Sequence, residues 1–365
     1  MHLLTLPEPV NHGPLQIAAG RYLAEDTSGA QLLVIAGAGS MELLHNNRGL
    51  MESSKNCVAY GWSQPDPSRI LFMRAGGFGD LILLTPVLRE VKRRWPSAHV
   101  AVSTMSHYAQ VLQHLPFVDE ILPYPLPQDV AETYDAWVFL ENAVERNPRA
   151  KEIHMTEVFA EVAGVAVEDL HPAYALAASE GVWAAEKYPR DGKRRACIQV
   201  AASGRCRNYP GEQMGEVART LANRGWEIFL MGSPGQMPPY EHKGFPTIKN
   251  LVYAGHSFRQ SVAIVAQSDC MIGPDSALIH AAGALGVPAV GLYAPFPWQL
   301  RTAHSPSVYS FQGNRGCASC FHHENPARQD HFPAHCPSAK RGLCQEMGNI
   351  EPRGVIEKVE AWGRK

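Results

Sequence analysis

Residues 69–86 constrain the fold more than any other stretch of the chain. They read Arg-Ile-Leu-Phe-Met-Arg-Ala-Gly-Gly-Phe-Gly-Asp-Leu-Ile-Leu-Leu-Thr-Pro. The opening six form a short, largely apolar run of the kind a buried parallel strand needs. A turn with Gly76, Gly77 and Gly79 follows and closes on Asp80. Leu81, Leu84, Val87, Leu88 and Val91 then recur at helical spacing, with Arg89, Lys92, Arg93 and Arg94 on the other side. Strand, glycine turn and helix in this order predict an open α/β sheet, whose ligands bind at the carboxyl edge of the strands. Glycine lets the backbone approach a ligand closely and take positive φ without strain. Asp80 reads in two ways at this point. It is a helix N-cap, or a general base at the sheet edge that takes a proton from a hydroxyl.

A second passage, residues 268–295, repeats the grammar: strand, Gly273-Pro-Asp-Ser turn, helix, Gly286-Val-Pro, strand. Together the two passages resemble glycosyltransferase family 9, the heptosyltransferases. Its members carry Arg-x-x-x-x-Gly-Asp after the first strand, then a leucine-rich stretch into Thr-Pro. Far downstream they carry Gly-x-Asp-[Ser/Thr]-Gly-x-x-His, followed by Ala-Ala-x-x-Gly-x-Pro. The resemblance covers about residues 69–295. It implies an α/β protein of GT-B type, with two facing Rossmann-like domains, that transfers sugar from a nucleotide-sugar.

Ordinary bulk properties fit this. The chain of 365 residues suits two domains, with 19% charged and 45% hydrophobic residues. A net charge of −2 gives no basic footprint for nucleic acid. The N-terminus lacks the basic start and long apolar core of a signal peptide. No run approaches the roughly eighteen apolar residues of a membrane span. A soluble, cytoplasmic protein is expected. Eight cysteines in such a chain argue for free thiols or metal rather than disulfides.

Residues 1–68 match no part of the family core. Short β-like runs at 15–17, 21–23 and 31–36 predict a β-rich extension, read as a docking or oligomerisation surface. Pro65 and Pro67 mark a linker at 62–68. Residues 69–190 form the first α/β domain, with further strands expected at 99–104, 120–124 and 135–140. A helix over 152–165 places His154, Glu157 and Glu161 on one face. The resemblance puts the acceptor on that side; by composition the face is merely solvated. The crossover is expected at 172–191. Residues 191–312 form the second domain, with strands at 196–200 and 227–231 and helices at 211–223 and 261–267.

The resemblance implies donor-phosphate contacts from Ser203, Arg205 and Arg207, with Tyr209-Pro210 in the aromatic-proline place. An arginine fork suits phosphate oxygens. Asp275, Ser276, Ala277, Leu278 and His280 complete the implied donor site, along with Gly76, Gly77 and Gly79. Backbone N–H groups at the start of the Ser276 helix would bind a pyrophosphate. Ala277 stands where the family has glycine, and Gly76-Gly77-Phe78 where members more often show Ser-Ser-Leu or similar. Phe78 would stack on or crowd the sugar. His280 reaches a phosphate or the sugar, or it is a satisfied core histidine.

Cys317, Cys320, Cys336 and Cys344 are a separate signal. A CxxC pair and two further cysteines in a segment rich in proline and histidine match the spacing of a structural zinc or iron site. His322, His323, His331 and His335 are spare ligands. A subgroup of the family that glycosylates autotransporter adhesins has an upstream extension and a four-cysteine iron site, and the resemblance extends to that layout. Residues 313–348 form this segment. Val355, Ile356, Val359 and Trp362 predict a last helix within 349–365, which in GT-B folds often crosses back to the first domain.

The resemblance thus implies an inverting transferase with Asp80 as base, ADP-heptose as donor, and a glycan, lipopolysaccharide or protein hydroxyl as acceptor. No catalytic metal is expected, since cationic side chains and helix dipoles stabilise the diphosphate. Two rivals stand beside it. One is a nucleotide-sugar epimerase on the same fold. The other is a catalytically silent GT-B assembly module. A dehydrogenase is disfavoured by the lack of a G-x-G-x-x-G turn with an acidic partner.

Overall fold

The computed structural model describes residues 67–141, 143–147, 149–233, 244–313, 339–340 and 343–362. Upstream of these it describes the backbone of seven strands within residues 2–59. The chain divides into two compact units. One comprises Met1–Gly77, Leu84–Ala150 and Thr156–Asp169; the other comprises Phe78–Leu83, Lys151–Met155 and Leu170–Lys365.

In the first unit, four parallel strands run in the order Glu120–Pro123, His99–Thr104, Arg69–Met73, Ala136–Phe139. By chain sequence this is 3-2-1-4, so the connections reverse direction beside the strand that precedes the glycine turn. Ile70, Leu71, Phe72 and Met73 are buried because the strand is covered on both faces. At the opposite edge, the Asp135 carboxylate accepts from the Ser68 N–H at 2.8 Å and the Arg69 N–H at 2.9 Å, anchoring the strand's start. The helix Phe78–Arg94 runs through Pro86 and ends in Lys92, Arg93 and Arg94, cations that suit its C-terminal dipole. Upstream, an antiparallel sheet orders Met41–His45, Gln31–Ile35, Gly20–Thr27, His2–Leu6 and Val58–Ala59. The hairpin Val10–His12 with Leu15–Ile17 completes the extension.

The second unit holds a six-stranded parallel sheet in the order Ile248–Asn250, Glu227–Met231, Arg195–Gln199, Cys270–Pro274, Ala289–Tyr293, Val308–Gln312. This is the 3-2-1-4-5-6 order of dinucleotide-binding sheets. The buried Arg195 guanidinium donates to Glu227 at 2.7 Å and to the carbonyls of Tyr188 and Pro189, so its charge is paired and its N–H groups are used.

The longest segment of the second unit is Leu170–Lys365. Helix Ala178–Lys187 packs on helix Phe258–Ala266, and Glu180 pairs with Arg259 through two 2.5 Å hydrogen bonds. Helix Met155–Ala163 is shorter than expected and starts after His154. The last helix, Pro352–Trp362, stays with its own unit: Val355, Ile356 and Val359 share a core with Met214, Val217 and Leu221 of helix Gly211–Asn223. The Tyr209 hydroxyl reinforces this by donating to the Ile350 carbonyl at 2.6 Å. Cys344 is buried in that core, whereas Cys317, Cys320 and Cys336 lie outside the described residues. Among the described residues, no helix is long and apolar enough to cross a membrane.

Candidate functional site

Strands Arg195–Gln199 and Cys270–Pro274 lie side by side, and the chain leaves them in opposite directions. Their carboxyl ends therefore open the crevice where such sheets take ligands. The loop 201–207 leaves the first strand and the Asp275-Ser276 turn leaves the second. Arg207 joins them. Its Nη1 donates to the Asp275 carboxylate at 3.2 Å and to the Asp275 carbonyl at 3.0 Å, and its Nη2 donates to the Ser203 hydroxyl at 2.6 Å. Asn208 supports the loop by accepting from the Ala202 N–H at 2.8 Å. Arg205 occupies the same short 3₁₀ turn, with its side chain exposed.

Asp275 is 4% exposed. Burial alone would raise its carboxyl, but the hydrogen bond to His280 and the charges of Arg207 and Arg301 outweigh burial and hold it well below the usual carboxylate range. The His280 contact is Nε2 to Oδ1 at 3.4 Å. Ser276 caps the helix Ala277–Ala284 from an extended backbone, without using its hydroxyl. The Ser276 hydroxyl, His280 Nδ1 and Arg207 Nε are buried and have no hydrogen-bond partner among the described residues. Orphaned polar atoms cost about 1–3 kcal/mol each. Three of them lie around the Arg207–Asp275 pair at a helix N-terminus, an arrangement whose chemistry suits an anion. Leu278 is buried behind it.

The first turn of the Asp80 helix, Phe78–Leu83, belongs to this same unit. Gly79 packs so closely that a Cβ there would meet His280 Cδ2 at 3.1 Å and the Ala277 Cα at 3.8 Å. The two sequence motifs thus meet at Gly79 and His280. The glycines divide their roles. Gly77 is the helix N-cap at φ 98°, a conformation that favours glycine. Gly76 lies under Tyr108, whose ring would be 2.1 Å from a Cβ. Because Gly77 is the cap, Asp80 falls in the first helical turn, and the capping reading of Asp80 is corrected. Phe78 stacks on Phe258 with centroids 4.2 Å apart, so its ring is taken by a protein partner.

Other residues depart from the sequence reading. His154 is not on a solvated helix face. It is 3% exposed, edge-on to His304 at 4.5 Å, and burial together with the charge of His304 pushes its pKa down to about 3. Arg301, 4% exposed and over the Phe296 ring at 4.7 Å, contributes to the field at Asp275. Sequence reasoning missed it. The available signal was its place in the turn after the strand Ala289–Tyr293, on the ligand edge of the sheet. Among the described residues, no group of three His, Cys, Asp or Glu side chains could hold a metal ion.

Residues 131–331 match the sequence model of glycosyltransferase family 9 (heptosyltransferase). Lipopolysaccharide heptosyltransferase 2 of Salmonella typhimurium is 25% identical over a match covering 62% of this chain and 83% of that protein. Among solved structures, E. coli ADP-heptose LPS heptosyltransferase II has a TM-score of 0.60 at 16% identity, covering 80% of this chain and 98% of its own. The iron-containing dodecameric glycosyltransferase TibC of enterotoxigenic E. coli has a TM-score of 0.61 at 14% identity, covering 96% of this chain and 87% of its own. The fold is GT-B, built from two Rossmann-like units.

Proposed function

The chain belongs to glycosyltransferase family 9, the heptosyltransferases, and on that premise we propose that it transfers heptose from an ADP-linked donor to an acceptor hydroxyl, with inversion. The observation that carries this reading is the Arg207–Asp275 bridge across the switch point, with its orphaned polar atoms. Solved relatives described as binding ADP-2-deoxy-2-fluoro heptose and ADP-D-β-D-heptose support the donor.

Two carboxylates are available, and their surroundings support different roles. Asp275 is held ionised by Arg207, Arg301 and His280, so it is a poor proton acceptor. Asp80, half-buried in its helical turn, is then the base. It takes the acceptor's hydroxyl proton as that oxygen attacks the anomeric carbon from the face opposite the nucleotide. The bond from the anomeric carbon to the diphosphate oxygen breaks, and its electron pair leaves with the diphosphate. Arg207, with Ser203, Arg205 and the N–H groups of residues 276–278, takes up the negative charge. Gly79 keeps the Asp80 turn close to the helix that starts after Ser276. The acceptor is a hydroxyl of a glycan, lipopolysaccharide or protein.

Cys317, Cys320, Cys336 and Cys344 would hold a structural metal. Support comes from the CxxC spacing and from TibC, described as iron-containing. TibC is also described as dodecameric, which supports reading residues 1–68 as a docking or oligomerisation surface.

Thermal stability against ADP-, UDP-, GDP- and dTDP-sugars tests the donor: a shift with the ADP-sugar is expected, and no shift with any overturns the reading. Asp80→Asn tests the base. Turnover should fall about 10²- to 10⁴-fold, and a folded variant with wild-type turnover removes Asp80 from the mechanism.

A further inference from the structure

The turn that leads into the Asp80 helix is gripped by groups far along the chain. The Ala75 N–H donates to the Glu141 carboxylate. The Ala75 carbonyl accepts from the Met105 N–H at 3.0 Å and from the Thr104 hydroxyl at 3.1 Å. Arg74 straddles the turn, with Nε donating to the Gly76 carbonyl at 3.2 Å and Nη1 to the Leu140 carbonyl at 2.7 Å. The Tyr108 ring closes over Gly76. These partners come from the carboxyl ends of His99–Thr104 and Ala136–Phe139, the two sheet neighbours of Arg69–Met73.

A residue bonded at both its N–H and its carbonyl has little freedom, and a connected network of this kind fixes one geometry. Beyond the Gly77 cap the backbone is helical. Asp80 follows this turn along the same run of backbone, five residues after the Glu141 bond to Ala75. Thr104 is fully buried and serves this turn from the strand beside it. Glu141 is the one acidic side chain among these clamps.

We propose that Glu141 is a positioning residue for the transfer reaction: by accepting the Ala75 N–H it fixes the turn that aims Asp80 at the acceptor hydroxyl. This rests on the reading of Asp80 as base. Glu141 itself touches no reacting atom and exchanges no proton, so what matters is its acceptor oxygen and not its charge. Gln retains such an oxygen; Ala does not.

The test compares Glu141→Ala and Glu141→Gln by steady-state kinetics with an ADP-sugar donor and by thermal unfolding. Glu141→Ala should lower kcat about 10- to 100-fold, the usual penalty for a misplaced catalytic group, with donor KM and melting temperature near wild type. Glu141→Gln should recover most of the loss. Wild-type kcat in folded Glu141→Ala overturns the inference, and so does a Gln variant as impaired as the Ala variant. Should Glu141→Ala not fold, Thr104→Val removes the hydroxyl from the same peptide and is read in the same way. Asp80→Asn is assayed alongside. If it is fully active, the reading of Asp80 fails; if it is inactive while Glu141→Ala is wild type, only the role of Glu141 fails.

Discussion

His280 stands tightly against residue 79: its Cδ2 would lie 3.1 Å from a Cβ there, closer than an ordinary contact. Both residues belong to sequence motifs about two hundred positions apart, and their contact brings the Asp80 turn against the helix that starts after Ser276. Gly79→Ala should therefore destabilise the fold by about 1–3 kcal/mol, the usual cost of overpacking. Adding His280→Ala should return the melting temperature toward wild type but leave turnover low. A single variant as stable as wild type counts against the contact.

Arg207→Ala leaves Asp275 as a buried charge without its fork partner, so it should lose both stability and any donor-induced thermal shift. The double variant Arg207→Ala/Asp275→Asn should be more stable than Arg207→Ala, because the orphaned charge is gone. Thermal unfolding of the two proteins side by side decides this.

His154 gives a pH dependence with a defined sign. Its pKa falls from 6.5 to about 3 on folding, so the unfolded chain binds the proton more readily. Its contribution to stability is intact above about pH 6.5 and is lost as pH drops from there toward 3, at up to about 1.4 kcal/mol per unit. His154→Gln should flatten that acid limb. Melting temperatures between pH 4 and 8 are the measurement, and an unchanged slope in the variant would falsify the assignment.

On the four-cysteine proposal, the purified protein should carry about one metal ion per chain. Cys317→Ser and Cys344→Ser should each strip it. Elemental analysis of the proteins measures this, and full occupancy in both variants removes the site.

The regular parts of the fold were legible where pattern and punctuation agreed. Helix Gly211–Asn223 and strand Glu227–Met231 fall where periodicity and flanking glycines put them. Helix Phe258–Ala266 starts earlier than periodicity suggested, because Ser257 and Gln260 form a capping box ahead of the apolar run. The chemistry around Asp275 was only half legible. Its motif was visible, but its bond to Arg207 and its field from Arg301 depend on strands that meet only in the folded sheet. The Phe78–Phe258 stack and the burial of His154 are long-range events of the same kind. Local spacing carries no trace of them.

Arg207 already has an anion before any donor arrives. On the proposed reading, phosphate oxygens that reach Nη1 compete with Asp275, so at that nitrogen binding swaps one partner for another. The affinity drawn from that nitrogen is then a difference between two interactions, and smaller than an unpaired guanidinium would give. The same arrangement works in reverse when the nucleotide departs, because a carboxylate stands ready to take the guanidinium back. Asp275→Asn keeps the shape and drops the charge, and by this logic it should hold the nucleotide longer. A stopped-flow off-rate faster than or equal to wild type would refute that. On that reading, the bridge gives up grip on the donor and gains speed in letting the product go.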